Sequence, residues 1–213
     1  MAASLAIRLR NRAVSDALAI DRAQLRGHAP SERPQLLAVG VMIWLGSEFM
    51  FFSSLFAAFF TIRAHAPVWP PTNPHLDTYQ ALIFSAVLLV SSPTMQVAVW
   101  AQERGQKVKA KVWLVISFLL GAMFLGNQAY EWITLPFSPS TGAGAYGSLF
   151  FIMSGLHGLH VLLGLVAMIA LYGRVKGPVG DPGETAVFQA VSYYWHFVDI
   201  VWIGLFSALF LFS

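Results

Sequence analysis

The chain has 213 residues, 57% of them hydrophobic and only 11% charged, with a net charge of +3. Soluble domains carry about 25% charged residues, so this composition excludes a water-soluble enzyme and makes nucleic acid an unexpected partner. Cysteine is absent, which removes disulfides, thiolate nucleophiles and Cys-ligated metals or iron–sulfur clusters.

Residues 1–35 read as a basic cytoplasmic tail carrying Arg8, Arg10, Arg12, Arg22, Arg26 and Arg33. It lacks the apolar core and small-residue cleavage site of a signal peptide. Leu5, Leu9 and Leu18 would suit a surface-lying amphipathic helix, but an unstructured tail is the expectation. Residues 36–213 form a single transmembrane domain. Five stretches there reach the roughly 20 apolar residues that a bilayer crossing needs. They are Leu36–Ile62, Gln80–Gln102, Lys111–Leu135, Tyr146–Tyr172 and Val187–Phe212. The predicted fold is all-α, one bundle of five transmembrane helices without internal repeats. Prolines 70, 71 and 74 keep the first loop out of helix.

Charge sets the orientation. Twelve of the thirteen Lys and Arg residues fall in the tail, the second loop with Lys111, and the fourth loop; only Arg63 lies on the other side. By the positive-inside rule the N-terminus is cytoplasmic and the C-terminus outside. Arg174, Lys176, Lys107 and Lys109 are then expected against anionic lipid headgroups. The pairs Ser117/Gly121, Ala122/Gly126 and Ser154/Gly158 are spaced for close helix approach. Trp69, Trp100, Trp113 and Trp132 sit near predicted helix ends, as interfacial aromatics do.

Ionisable residues at mid-membrane depth carry the functional information, because each costs several kcal/mol unless paired. Glu48 lies near the centre of the first segment, His157 and His160 near that of the fourth, and His196 and Asp199 near that of the fifth. His157 and His160 are three apart and share a helix face, as do His196 and Asp199. Both faces could meet Glu48. Glu131 lies about 12 Å outward of the centre of its segment, near the outer interface.

Three readings fit this cluster: a metal or haem site, since these are suitable ligand types; a proton or ion path; or a buried polar network fixing helix register and docking a partner. The third is preferred, because no chain of ionisable groups continues to either surface. His65, His75 and Asp77 of the first loop could also bind a metal, although exposed loop residues are the simpler reading. No phosphate loop and no nucleophile beside a base is present.

Several stretches resemble subunit III of the haem–copper terminal oxidases, specifically of cytochrome c oxidase. They are Trp44-Leu45-Gly46-Ser47-Glu48-Phe49-Met50-Phe51-Phe52, Trp69-Pro70-Pro71, Gln128-Ala129-Tyr130-Glu131 and Tyr146-Gly147-Ser148-Leu149-Phe150-Phe151. Gly155-Leu156-His157-Gly158-Leu159-His160-Val161 and Tyr193-Tyr194-Trp195-His196-Phe197-Val198-Asp199-Ile200-Val201-Trp202 are the most specific. They occur in the family's order from about Leu36 onward. Leu156 stands where the family usually has Phe. The chain looks like the five-span bacterial form, lacking the first two spans that help form a lipid-filled cleft in seven-span members. It is most similar to actinobacterial versions.

The resemblance implies a subunit with no redox centre and no catalytic or metal-binding residue. Haems and copper would lie in partner subunits I and II. This chain would pack on subunit I, bind phospholipid and support proton uptake and sustained turnover as the complex oxidises cytochrome c and reduces dioxygen to water. Glu48 matches the family's buried carboxylate, and His157, His160, His196 and Asp199 its signature polar positions. Actinobacterial character further implies a supercomplex with a cytochrome bc complex. The alternatives are subunit III of a quinol oxidase, a nitric oxide reductase-associated relative, or an autonomous transporter. The missing repeats and interrupted helix pairs speak against the last.

Overall fold

The computed structural model describes residues 36–69, 77–135, 144–175 and 182–211. The tail of residues 1–35, His75 and Lys176 lie outside the described residues. Among the described residues there are five helices: α1 Leu36–His65, α2 Thr78–Glu103, α3 Lys107–Thr134, α4 Gly144–Arg174 and α5 Pro182–Phe206. A π-helical turn, Ser207–Leu211, extends α5. All five are long and apolar enough to span a membrane, and the described residues contain no strand.

Helices α2 and α4 begin two residues before the predicted segments, and two others begin earlier still, α3 at Lys107 rather than Lys111 and α5 at Pro182 rather than Val187. Charged residues end an apolar run without ending a helix, and here they find partners across the bundle. Lys107 pairs with Glu184 at 3.2 Å, and Gln189 donates to Glu103 at 2.9 Å. Proline in a first helical turn costs nothing, because its missing N–H would be unpaired there anyway.

The α2–α3 turn is only Arg104 to Gln106, closed by two backbone bonds, Gly105 N to Gln102 O at 2.9 Å and Gln106 N to Ala101 O at 2.8 Å. This pairing needs a left-handed residue at its centre, and Gly105 supplies it at φ 71°. At the start of α2, the Asp77 side chain caps the helix by accepting from Gln80 N at 3.0 Å.

Helices α2 to α5 form the core. α2 packs against α3 and α5, and α4 against α3 and α5. Trp195 of α5 fills the centre and is fully buried. Its indole N–H donates to Ser91 Oγ of α2 at 2.8 Å, and Trp202 does the same to Ser85 at 2.8 Å. Each serine spends its own proton one turn back, on Leu88 O and Ala81 O, both at 2.6 Å. No polar atom in these two links is left for the hydrocarbon to solvate. Ser91→Ala should therefore strand a buried indole N–H and cost about 1–3 kcal/mol. Ser53→Ala, whose exposed hydroxyl only back-bonds to Phe49 O, should be near neutral. Thermal dissociation of the purified subunit would rank the two.

Small residues serve this core selectively. Gly121 of α3 and Gly164 of α4 both abut the Trp195 ring, whereas nothing lies within 4 Å of a Cβ built at Gly126. Of the expected interfacial tryptophans, Trp100 is half exposed. Trp69 instead packs inward against Phe59 and Tyr146, and Trp132 against Phe151.

α1 differs from the rest. Only Leu45, Phe52 and Phe59 are buried along its 30 residues. Their seven-residue spacing defines one narrow seam. The helix meets the bundle through ring-sized side chains. Trp44 stacks on Tyr194 with centroids 5.3 Å apart, and Phe52 meets His160 and Phe197 edge-on at 5.1 and 6.4 Å.

Candidate functional site: paired polar groups inside the bundle

Glu48 on α1 and His160 on α4 meet, with Glu48 Oε2 and His160 Nε2 at 3.2 Å. The other ring nitrogen, Nδ1, lies 2.7 Å from Leu156 O. A carbonyl can only accept, so Nδ1 carries a proton. One further proton must then sit between Nε2 and Glu48, on either partner, and the pair is neutral in both forms. Neutrality is what mid-membrane depth demands. Tyr194 of α5 donates to His160 O at 2.9 Å. One histidine thus joins α1, α4 and α5. Glu48 is not sealed: its side chain keeps 23% exposure, against 10% for His160.

His196 belongs to a different group, between α5 and α2. Its Nδ1 lies 2.7 Å from Ser92 Oγ, and its Nε2 lies 3.2 Å from Ser192 Oγ and 3.3 Å from Gln96 Oε1. With the Gln96 oxygen so placed, Nε2 carries the proton and Nδ1 accepts from Ser92. Asp199, one turn on, is buried and close to Ser92. Neither of its oxygens makes a hydrogen bond of good geometry.

His157 joins neither group. It is 1% exposed and makes no hydrogen bond. Its ring stacks on Trp202 at 4.9 Å and takes Phe124 edge-on at 6.0 Å. The single network expected around Glu48 is therefore two hydrogen-bonded groups and one aromatic-packed imidazole. Spacing by three residues puts His157 and His160 on neighbouring rows of α4. Packing then turns one toward α1 and the other toward α3 and α5.

Glu131 lies near the end of α3, partly buried and within electrostatic range of Asp77. Beside them Gln80 bonds Asn127 at 2.5 Å. Of the first-loop metal candidates, His65 Nδ1 bonds Thr61 O at 2.8 Å and Asp77 caps α2. Among the described residues no three His, Asp or Glu side chains converge as metal ligands. His160 and His196 each engage both ring nitrogens in hydrogen bonds. These two histidines therefore have no ring nitrogen left to offer a metal or haem.

A third polar group, at the end bearing Lys107 and Arg174, escaped the sequence reading. Glu184 is 4% exposed and receives Gln102 Nε2 at 3.0 Å as well as Lys107 Nζ at 3.2 Å. Lys107, one of the expected headgroup cations, faces a carboxylate of its own chain. The available signal was the charge of Glu184, the acidic residue in the first turn of α5. Lys109 and Arg174 remain exposed.

These groups bind one another across helices. They define a multi-pass helical membrane protein. Residues 16–213 match the family described as cytochrome c oxidase subunit III. The chain is 46% identical over 180 residues to a probable cytochrome c oxidase subunit 3 of Mycobacterium tuberculosis, covering 84% of this chain and 89% of that one. It is 40% identical over 186 residues to cytochrome c oxidase subunit 3 of Corynebacterium diphtheriae, covering 85% and 91%. For the Thermostichus vulcanus protein of the same name it is 32% over 197 residues, covering 92% and 93%. The chain belongs to the cytochrome c oxidase subunit III family and is a multi-pass protein of the bacterial membrane.

Proposed function

We propose that this chain is the non-catalytic subunit III of a proton-pumping cytochrome c oxidase. It packs on subunit I, binds phospholipid and supports proton uptake and sustained turnover. Haems and copper reside in subunits I and II, cytochrome c is the electron donor, and a cytochrome bc complex joins in a supercomplex. The N-terminal tail is cytoplasmic and the C-terminus outside. Lys109, Arg174 and Lys176 meet anionic headgroups at the cytoplasmic face. Glu48, His157, His160, His196 and Asp199 hold helix register instead of moving electrons.

One observation carries the packing role. α1 has three buried residues, and Glu48 near its centre keeps 23% exposure. A partly open carboxyl group facing lipid at mid-depth is costly. A partner helix over this side of α1 would remove that cost, and subunit I provides it in this reading.

Glu48→Gln tests the site. An amide can donate to His160 Nε2, so the link between α1 and α4 survives. The haem spectrum of the complex should be unchanged, with an effect on endurance over repeated turnovers at most. Loss of haem from this variant would mean that Glu48 has another role. Purification through a C-terminal tag, followed by a reduced-minus-oxidised spectrum, tests the whole reading. An a-type signal with larger subunits supports it, and added b- and c-type bands support the supercomplex. A b- or o-type signal alone would point to a quinol oxidase. A colourless, stable, solitary chain would sink the assignment to an oxidase.

A further inference from the structure

On the face between α3 and α4 lies a groove of about 300 Å³ lined by Leu114, Val115, Phe118, Leu119, Ile169 and Tyr172. All of its lining is hydrophobic or aromatic. A cation stands at its mouth: Lys111 Nζ lies over the Tyr172 ring, 5.2 Å from the centroid. The contact uses the face of the phenol and leaves ammonium N–H groups free to donate. Arg174, two residues beyond Tyr172, is exposed at the same end of α4. Leu119 lies eight residues from Lys111, or about 12 Å along the helix. Half of a hydrocarbon core of about 30 Å is about 15 Å. Lys111 and the groove below it together thus reach across most of one leaflet and stop there.

We propose that this groove holds one acyl chain of an anionic phospholipid, with its phosphate on Lys111. The assignment rests on the lipid-binding part of the proposed function and gives it a place on the chain. Its depth favours a lipid over a partner helix, which would need a groove through both leaflets. The cation at the mouth makes the headgroup anionic. A second groove of about 410 Å³, between α1, α4 and α5, includes Val41, Trp44, Leu163 and Tyr194 in its lining but no charged residue, so nothing there selects a headgroup.

The test uses the intact complex in nanodiscs of phosphatidylglycerol or phosphatidylcholine, with retained lipid read by native mass spectrometry. Lys111→Gln should lower retained phosphatidylglycerol about fivefold, the worth of one basic residue near a headgroup. Lys111→Arg should keep it. Leu119→Trp, at an exposed position of the lining, should displace it by filling the groove. Val112→Trp, exposed but outside the lining, should not. Equal retention by Lys111→Gln and wild type would overturn the proposal. So would equal retention of phosphatidylcholine, or loss of a neighbouring subunit instead of lipid from Leu119→Trp. The haem spectrum and subunit composition of each sample report separately on the oxidase reading.

Discussion

Gly164→Ala is expected to expel this subunit from the purified complex or leave it there only at reduced temperature. A Cβ at that position would lie 2.7 Å from both Cε3 and Cζ3 of Trp195 and 3.3 Å from Tyr194 Cε1. Trp195 cannot step aside. Its indole N–H is fixed to Ser91, and its far edge rests on Gly121, where a Cβ would come within 2.6 Å of Cη2. One rigid ring from α5 is thus clasped by α2, α3 and α4 together. Overpacking such a site costs about 1–3 kcal/mol and sometimes more. Gly121→Ala should behave alike. Gly126→Ala, on the same helix with nothing within 4 Å, is the matched control. Co-purified subunit III, quantified after a temperature series, would decide. If Gly164→Ala survives as well as Gly126→Ala, the ring is not seated between these glycines. Adding Trp195→Phe to Gly164→Ala should recover part of the loss, since the smaller ring leaves room for one methyl.

Lys107→Met is expected to have the second large effect, about 3 kcal/mol, because removing one partner of a buried ion pair leaves the other charged and unsolvated. Glu184 is 4% exposed and Lys107 only 19%. Gln102 would remain as a donor to Glu184, but a neutral amide does not replace the counter-charge. Adding Glu184→Gln to Lys107→Met should restore much of the stability, since the buried charge disappears with its partner. Lys109→Met, on an exposed side chain, should change little. Thermal retention of the subunit in the complex, measured for wild type, Lys107→Met, Glu184→Gln and the double variant, closes a double-mutant cycle. A Lys107→Met variant no worse than Lys109→Met would refute the buried pair and return Lys107 to the lipid surface.

The same pair shows how far the sequence could be read. Hydropathy located all five spans, since a run of apolar residues of bilayer length has no other stable environment. It set the starts of α3 and α5 too late, because it scores Lys107 and Glu184 as separate charges and cannot see that they meet. Mid-membrane depth made Glu48, His157, His160, His196 and Asp199 the residues to follow, for a polar group in hydrocarbon is costly without a partner.

Which partner it takes is a matter of helix rotation and neighbour order. Neither is written in one helix. His157 and His160 share a face by spacing, yet one bonds Glu48 while the other lies between Phe124 and Trp202. Ser85 and Ser91 look like ordinary small residues of a transmembrane helix until Trp202 and Trp195 arrive from α5. Composition and periodicity by themselves determined that this chain is a five-span membrane protein with polar groups at its centre, and its motifs determined the family resemblance. Only the tertiary structure decided how those groups divide, because a hydrogen bond between helices depends on a few ångströms of approach and a few tens of degrees of rotation.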